Sequence, residues 1–428
     1  MRIQEISVQN LFGMFDHVIP MNMEERITII HGPNGVGKTI LLKMLNRLFN
    51  LQYDFLYTIP FAEFRLDFDN QTYLIIKKSF EDKNYTQERL EFSYYNQNQE
   101  LERYSHQDFE AEELRVEAIK IINDRIVKSI ILEEQKYPEL QFVQRLGRAV
   151  RSIREQREDG WLLELIKNLE VSLIESDRLF DFSDDHSPYR QKDRVYSVTT
   201  YSNELAEKIE ETLAEYGVLS QSLDRTFPVR VFNPNSSSDL TAETLREQLT
   251  ELEEQRTQLI SLGLLEQDEN PEFQVEQEID DQTKSILSVY VEDVEKKLEV
   301  FNEIASKIAI FKKIIENRFS YKKMSITKEE GFTFTTLNDN PLSSTNLSSG
   351  EQHELVILYE LLFKVKPNSL ILIDEPEISL HVAWQVEFLN DLQEIIRLAN
   401  FDILIATHSP DIINDRWDLT VELQGPNE

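Results

Sequence analysis

The chain has 428 residues, enough to divide into two or more lobes, because single hydrophobic cores rarely grow beyond about 250 to 300 residues. Its formal net charge of −33 opposes non-specific attraction to nucleic acids or anionic membranes, and the lack of cysteine excludes disulfides, cysteine zinc sites and cysteine nucleophiles. With no signal-peptide pattern and no apolar run near the roughly 18 residues of a membrane helix, the sequence predicts a soluble, cytoplasmic protein.

The N-terminal part of the chain combines strand and helix patterns. The alternating segment "RIQEISVQNL" predicts a strand, and "ERITIIHGPNGVGKTILLKMLNRLF" predicts a strand, a glycine-rich turn and an amphipathic helix. Between about residues 55 and 95, segments such as "FRLDF" and "TYLIIKK" predict antiparallel strands that flank the main sheet. Residues 106–170 carry helical patterns, and "VSLIESDRLF" predicts a strand that returns to the sheet.

One basic cluster stands out in this acidic chain, with an arginine at every third position of "RLGRAVRSIREQR". On a helix this spacing winds around the axis, which favours a solvated or salt-bridged helix and leaves a polyanion or partner contact as the second interpretation. The five residues are Arg145, Arg148, Arg151, Arg154 and Arg157.

The region from residue 200 to 320 is mostly helical in pattern, with periodic stretches at about 201–217, 241–262 and 279–318. At about 1.5 Å per residue, the last stretch would reach roughly 60 Å if unbroken, so a projecting arm and a packed helical lobe are both open. Strand signals return after Ser325 and end in two apolar strands, "NSLILIDEPEISLH" and "FDILIATHSP".

The segment "GPNGVGKT" matches G-x-x-x-x-G-K-[ST] between a predicted strand and a predicted helix, as a phosphate-binding loop requires. Lys38 would reach the terminal phosphates, Thr39 would ligate Mg²⁺, and backbone N–H groups would wrap the phosphates at the helix N-terminus. The predicted nucleotide contacts are Gly32, Pro33, Asn34, Gly35, Val36, Gly37, Lys38, Thr39 and Ile40.

Polar residues follow the two C-terminal apolar strands. Asp374 and Glu375 stand at the carboxyl end of the first, where two adjacent carboxylates would repel each other unless a cation relieved them. Asp374 is the predicted metal ligand, and Glu375 is predicted to orient or deprotonate the water that attacks the γ-phosphate. His408, just beyond the second strand, is the predicted γ-phosphate sensor, although a lone histidine there is usually structural.

The segment "NLSSGEQHELV" supports two compatible interpretations. Ser348 and Glu351 have the spacing of a capping box, which satisfies free N–H groups at a helix start. The hydroxyls of Ser348 and Ser349, the free N–H groups and the close approach allowed by Gly350 also suit a phosphate oxygen.

In this order, the motifs resemble those of the ATP-binding-cassette ATPase heads of the SMC, Rad50, RecF and OLD-like group. The resemblance covers about the first 50 and the last 100 residues well and the middle poorly. It implies an α/β fold, an ABC-type P-loop ATPase head with a mixed sheet and a large, mostly helical insertion. The signature then matches Leu347 to Glu351, the D-loop region matches Glu377 to His381, and the switch histidine matches His408.

The resemblance further implies ATP hydrolysis with Mg²⁺ in a homodimer or higher homo-oligomer, whose signature helix faces the γ-phosphate bound by a second subunit. A Q-loop equivalent is expected at Asp177 or Arg178, and an adenine contact is expected from Phe12 or Phe15. The implied division is 1–105 (N-terminal part of the head), 106–170 (helical lobe), 171–199 (return strand and linker), 200–320 (helical or short coiled-coil-like insertion) and 321–428 (C-terminal part of the head).

Within this group, "EPEISLHVAWQ", "ATHSP" and an insertion of about 300 residues are similar to OLD-like and RecF-like ATPases of anti-phage defence, including PARIS, Septu and retron-associated components. OLD proteins carry a nuclease after the ATPase, whereas this chain ends 20 residues after His408. The expectation is therefore an ATP-gated sensor or scaffold that controls a separate effector such as a nuclease. The alternatives are a RecF- or Rad50-like repair ATPase that binds DNA across dimerised heads, which the net charge does not favour, and an assembly module that scarcely hydrolyses ATP.

Overall fold

A computed structural model of the chain describes residues 1–80, 88–97, 99–107, 160–175, 190–232, 241–267, 280–378 and 380–425. These residues form two compact units, one with the described residues up to 175 and from 365 onward, the other with those from 190 to 364. The arginine cluster, Asp177 and Arg178 lie outside the described residues. Among the helices described, none has the length and apolarity needed to cross a membrane. The five-part division stays a prediction.

The N-terminal part of the first unit confirms the predicted strand, turn and helix, and the predicted antiparallel strands follow them. The alternating pattern of the first strand buries Ile6 and Val8 completely. The elements are β1 (Ile3–Leu11), β2 (Phe15–Pro20), β3 (Ile27–His31), α1 (Lys38–Phe49), α2 (Asp54–Thr58), β4 (Glu63–Phe68), β5 (Thr72–Phe80), β6 (Glu88–Asn96), β7 (Gln99–Gln107), α3 (Gly160–Lys167) and β8 (Val171–Glu175).

The second unit is helical with a small sheet. Its elements are α4 (Arg190–Phe232), α5 (Ala242–Ser261), α6 (Asp281–Glu299), α7 (Asn302–Arg318), β9 (Lys322–Thr327), β10 (Gly331–Thr336), β11 (Pro341–Leu342), α8 (Ser349–Tyr359) and a π-helical turn (Glu360–Lys364). The three strands are antiparallel in the order β11-β10-β9. Helix α4 packs on β10, where the Phe332 N–H donates to the hydroxyl of buried Ser202 at 2.9 Å.

Two helix boundaries in this unit differ from the sequence-based expectation. Helix α4 continues past residue 217 and through Pro228, which lies four residues before its end and supplies no N–H to the helical hydrogen bonds. The stretch 279–318 breaks into α6 and α7 at Val300 and Phe301. Because one helix ends at Glu299 and the next begins at Asn302, this stretch is not one continuous 60 Å helix.

The first unit ends with β12 (Leu370–Asp374), α9 (Val382–Gln385), α10 (Phe388–Ala399), β13 (Asp402–Ala406), α11 (Pro410–Ile413) and β14 (Thr420–Glu422). Its parallel and antiparallel pairings occupy separate sheets: β14-β3-β13-β12-β8, all parallel, and β2-β1-β4-β5-β6-β7, all antiparallel.

One apolar core joins α1 to inward-facing side chains of both sheets. Because β3, β13 and β12 are parallel neighbours, their carboxyl ends meet at one edge, where open α/β sheets bind ligands.

Candidate functional site

The loop that follows β3 has a backbone that only glycine adopts readily. Gly32 has φ +152° and Gly37 has φ +100°, both in the region that disfavours L-side chains. A Cβ atom at Gly32 would lie 2.4 Å from the Leu423 carbonyl oxygen, and one at Gly37 would lie 2.6 Å from a methyl carbon of Leu11. The glycines of the motif therefore set the path of the loop and allow it to pack against its neighbours.

Lys38 begins α1 and is only 6% exposed. Its Nζ donates to the carbonyl oxygens of Gly32 at 2.9 Å and Pro33 at 3.1 Å, across its own loop. Burial lowers the pKa of Lys38, while the nearby carboxylates of Glu375 and Asp374 act in the opposite direction. A bound phosphate would likewise raise this pKa and stabilise the charged ammonium.

The loop and the end of β12 meet through Thr39 and Asp374. The Thr39 hydroxyl donates to Asp374 Oδ1 at 3.1 Å, although the two residues are 335 positions apart in the chain. A hydroxyl and a carboxylate beside a phosphate-binding loop are the hard oxygen ligands that Mg²⁺ uses together with substrate phosphates. These two side chains therefore fit the magnesium ion that the fold implies.

Glu375 and His408 face each other beyond the ends of β12 and β13. Glu375 Oε1 lies 4.0 Å from His408 Nε2, and about one third of each side chain is exposed. Glu375 has φ +47°, and its N–H donates to the Ala406 carbonyl at 2.8 Å, which ties this strained backbone to β13. An uncommon backbone conformation in a non-glycine residue at a cavity is typical of functional positions.

These groups line an open cavity of about 420 Å³ within the first unit. Lys38, Thr39, Glu375 and His408 all contribute to its wall. Of the two aromatic candidates, Phe12 lines the cavity. Phe15 is 8% exposed and stacks on His17 inside the protein. The complete lining is Phe12, Asn34, Gly35, Gly37, Lys38, Thr39, Ile40, Glu375 and His408.

The predicted capping box is present at the start of α8. The Ser348 hydroxyl accepts from the Glu351 N–H at 3.4 Å, and the Glu351 carboxylate accepts from both the N–H and the hydroxyl of Ser348 at 2.8 Å. Glu351 also forms an ion pair with Lys322. Burial alone would raise the pKa of Glu351, but these hydrogen bonds lower it overall.

The predicted signature residues belong to the second unit, whereas the cavity is formed by the first. Ser348 and Ser349 are exposed and Gly350 is half-buried, while α8 from Gln352 to Tyr359 is buried. The first turn of α8 is thus open at the end of an otherwise buried helix. The binding roles of Ser348, Ser349 and Gly350 stay predictions, as do those of the cavity residues.

Sequence reasoning missed two side chains that hold the site. Glu377 contacts the segment that carries His408. His17, 3% exposed on β2, lies with Nε2 at 2.7 Å from the Val36 carbonyl oxygen in the phosphate-binding loop. Because a carbonyl only accepts, Nε2 must carry the proton. His17 occupies an inward position of an alternating strand, so its sequence pattern predicts a core residue and carries no signal of this contact.

We expect His17→Phe to weaken ATP binding about tenfold, because it keeps a ring beside Phe15 but leaves the Val36 carbonyl without this donor, at a cost of about 1–3 kcal/mol. His17→Gln, which retains an N–H at the equivalent position, should stay within about threefold of wild type. Isothermal titration with ATP measures both, and thermal unfolding verifies that each variant is folded. Wild-type affinity in the Phe variant would contradict the anchoring role of His17.

A family model described as "AAA ATPase domain" matches residues 1–413. The chain belongs to this family. This AAA ATPase domain has the α/β fold and the P-loop nucleotide-binding site that the sequence predicted. No curated protein matches it significantly.

Three solved SMC head structures are also similar to this ATPase domain. The head with an extended coiled coil bound to the C-terminal domain of ScpA from Pyrococcus furiosus is 13% identical, with 96% of this chain and 91% of that chain covered, at a TM-score of 0.34. The head from Thermotoga maritima is 11% identical, with the same coverage, at 0.31. A SmcHead bound to the C-winged helix domain of ScpA is 10% identical, with 100% and 95% covered, at 0.36. With TM-scores this low, the family assignment rests on the ATPase domain match.

Proposed function

We propose that the chain binds ATP with Mg²⁺ in the cavity at the end of the parallel sheet and hydrolyses it. The observation that carries this proposal is one cavity lined by Lys38, Thr39, Glu375 and His408, with the Asp374 carboxylate hydrogen-bonded to the Thr39 hydroxyl. Each of these groups matches a requirement of phosphoryl transfer, in which catalysis is mostly positioning and charge stabilisation.

The proposed roles follow from position. The loop N–H groups and Lys38 bind the phosphates, while Thr39 and Asp374 would hold Mg²⁺, which when bound neutralises phosphate charge. Glu375 accepts a proton from the water whose oxygen bonds to the γ-phosphorus, as the bond to the bridging oxygen breaks and ADP leaves with its electron pair. His408 donates a hydrogen bond to a γ-phosphate oxygen.

A second copy of the chain is proposed to complete the site. The open first turn of α8 offers the hydroxyls of Ser348 and Ser349, free N–H groups and the positive end of a helix dipole. Glu351 binds the Ser348 hydroxyl in the described structure, so Ser348 would have to leave this contact to bind a phosphate. Two such composite sites would close at once in a twofold dimer with ATP between the subunits.

For the biological role, we propose an ATP-gated sensor or scaffold that controls a separate effector protein, such as a nuclease, in anti-phage defence. The support is the likeness of "EPEISLHVAWQ" and "ATHSP" to ATPases of such systems. The DNA-repair alternative predicts DNA across the closed heads, which the charge of −33 does not favour.

The dimer proposal is tested by the mass of the protein in solution with and without ATP and Mg²⁺. Glu375→Gln should bind ATP without hydrolysing it and should therefore shift from monomer to dimer on ATP addition. Lys38→Ala, which lacks the phosphate-binding ammonium, should stay monomeric at the same ATP concentration. Ser348→Arg places a bulky side chain in the open turn and should bind ATP without dimerising. A dimer of unchanged stability in Ser348→Arg would refute the composite site.

The biological role is tested by affinity purification of tagged Glu375→Gln from its native host in ATP, with mass spectrometry and a parallel nuclease-treated sample. A toxin-like or nuclease protein that survives nuclease treatment supports the sensor proposal. DNA with repair proteins that is lost on nuclease treatment refutes it in favour of the repair alternative.

A further inference from the structure

The Glu377 carboxylate uses both of its oxygens to hold the end of β13. Oε2 accepts from the Thr407 hydroxyl at 2.8 Å, and Oε1 accepts from the His408 backbone N–H at 2.8 Å. Thr407 is fully buried and Glu377 is half-buried. Hydrogen bonds to an ionised carboxylate are roughly twice as strong as neutral ones, so this is a firm two-point attachment.

The attachment is part of a closed ring of hydrogen bonds. The Thr407 hydroxyl also accepts from the Ser409 N–H at 2.9 Å, and the Ser409 hydroxyl donates to Gln385 Oε1 at 2.8 Å. Gln385 Nε2 donates to the carbonyl oxygens of Glu377 at 3.2 Å and Leu380 at 3.3 Å. Glu377 and Gln385 therefore hold residues 407–409 from two sides and are also bonded to each other.

His408 is the residue that this ring places. The His408 backbone N–H donates to Glu377, and Nε2 of the His408 imidazole lies 4.0 Å from Glu375 Oε1. Glu375 is itself tied through its N–H to Ala406, two residues before His408. The distance between the catalytic carboxylate and the imidazole thus depends on the backbone at the end of β13.

We infer that Glu377 is a positioning residue, which acts on ATP hydrolysis by holding the His408 backbone so that its ring meets the γ-phosphate. This inference rests on the proposed hydrolysis and adds to it a residue whose carboxylate does not touch the nucleotide. Both Glu377 oxygens are occupied by protein donors, which distinguishes Glu377 from Glu375, whose side chain lines the cavity. Misplacement of a reacting group by about 1 Å can cost about a hundredfold in rate.

The test is a double-substitution cycle on ATP turnover at saturating ATP. Glu377→Ala should lower kcat about tenfold to a hundredfold with KM changed less than about threefold. Glu377→Gln, which keeps one acceptor oxygen, should fall between Glu377→Ala and wild type. In the His408→Ala background, Glu377→Ala should lower kcat by less than a further factor of about two, because the imidazole that Glu377 positions is already absent. Glu24→Gln, at an exposed carboxylate, is the control for charge removal and should match wild type.

A second readout does not depend on turnover. Amide hydrogen exchange at His408 in the nucleotide-free protein should be about tenfold faster in Glu377→Ala than in wild type, with exchange in the middle of β13 unchanged. Unchanged exchange at His408, or an equal loss of kcat in both backgrounds, would overturn the inference. If the wild-type protein does not hydrolyse ATP, the proposed function fails, and the exchange measurement still decides whether Glu377 fixes His408.

Discussion

Glu375→Gln should lower ATP turnover about 100- to 1,000-fold while ATP affinity stays within about threefold of wild type. The amide has the shape of the carboxylate but cannot take a proton from water, and a positioned general base contributes about 10²–10⁴-fold to a rate. Binding is retained because Lys38, Thr39 and the loop backbone are untouched. The substitution also removes one of two adjacent carboxylates, which favours an anionic nucleotide.

The measurement is phosphate release at saturating ATP, together with isothermal titration of ATP into each variant. Glu24→Gln is a matched control, because it makes the same chemical change at an exposed carboxylate outside the cavity. A loss of affinity equal to the loss of rate would indicate that Glu375 acts in binding instead. Equal turnover in Glu375→Gln and wild type would remove Glu375 from the catalytic role and support the assembly-module alternative.

Sequence patterns predicted the features that depend on neighbouring residues. The phosphate-binding loop needs glycines at fixed offsets, as the backbone of Gly32 and Gly37 shows, and these are visible in the sequence. The capping box at Ser348 and Glu351 is equally local. Strands β12 and β13 are continuous apolar runs, and polar residues after such runs collect at one edge of a parallel sheet. The hydrogen bond between Thr39 and Asp374 follows from the loop after β3, the carboxylate at the end of β12 and the closeness of these two strands in the sheet.

The contacts that sequence reasoning missed join distant segments or depend on side-chain packing. The His17–Val36 contact joins an antiparallel strand to the loop, and inward histidines on strands are usually core residues. Glu377 lies in the segment predicted to be the D-loop, but its attachment to Thr407 depends on the turn at residues 376–378. The helix break at Val300 and Phe301 has no local sequence signal, because neither residue is a glycine or a proline.

The second unit contains a buried ion pair between the end of α7 and α8. The Arg318 and Glu354 side chains are 6% and 3% exposed, and their charged groups are in contact. Removing one member of such a pair leaves the other charge buried without its main counterion, at a cost of about 3–5 kcal/mol. Replacing both members by apolar residues of similar volume is often neutral, because neither charge is then desolvated.

Glu354→Leu should therefore lower the free energy of unfolding by about 3–5 kcal/mol, and Arg318→Met/Glu354→Leu should recover most of it. Glu303→Ala removes the 81% exposed member of an ion pair with Lys307 on the same α7 helix and should cost less than about 1 kcal/mol. All three tryptophans of the chain lie in the first unit, so tryptophan fluorescence reports the unfolding of that unit in urea. Far-UV circular dichroism reports all helices, and the four longest described helices lie in the second unit. An unchanged dichroism midpoint in Glu354→Leu, or no recovery in a folded double variant, would contradict a stability role for this pair.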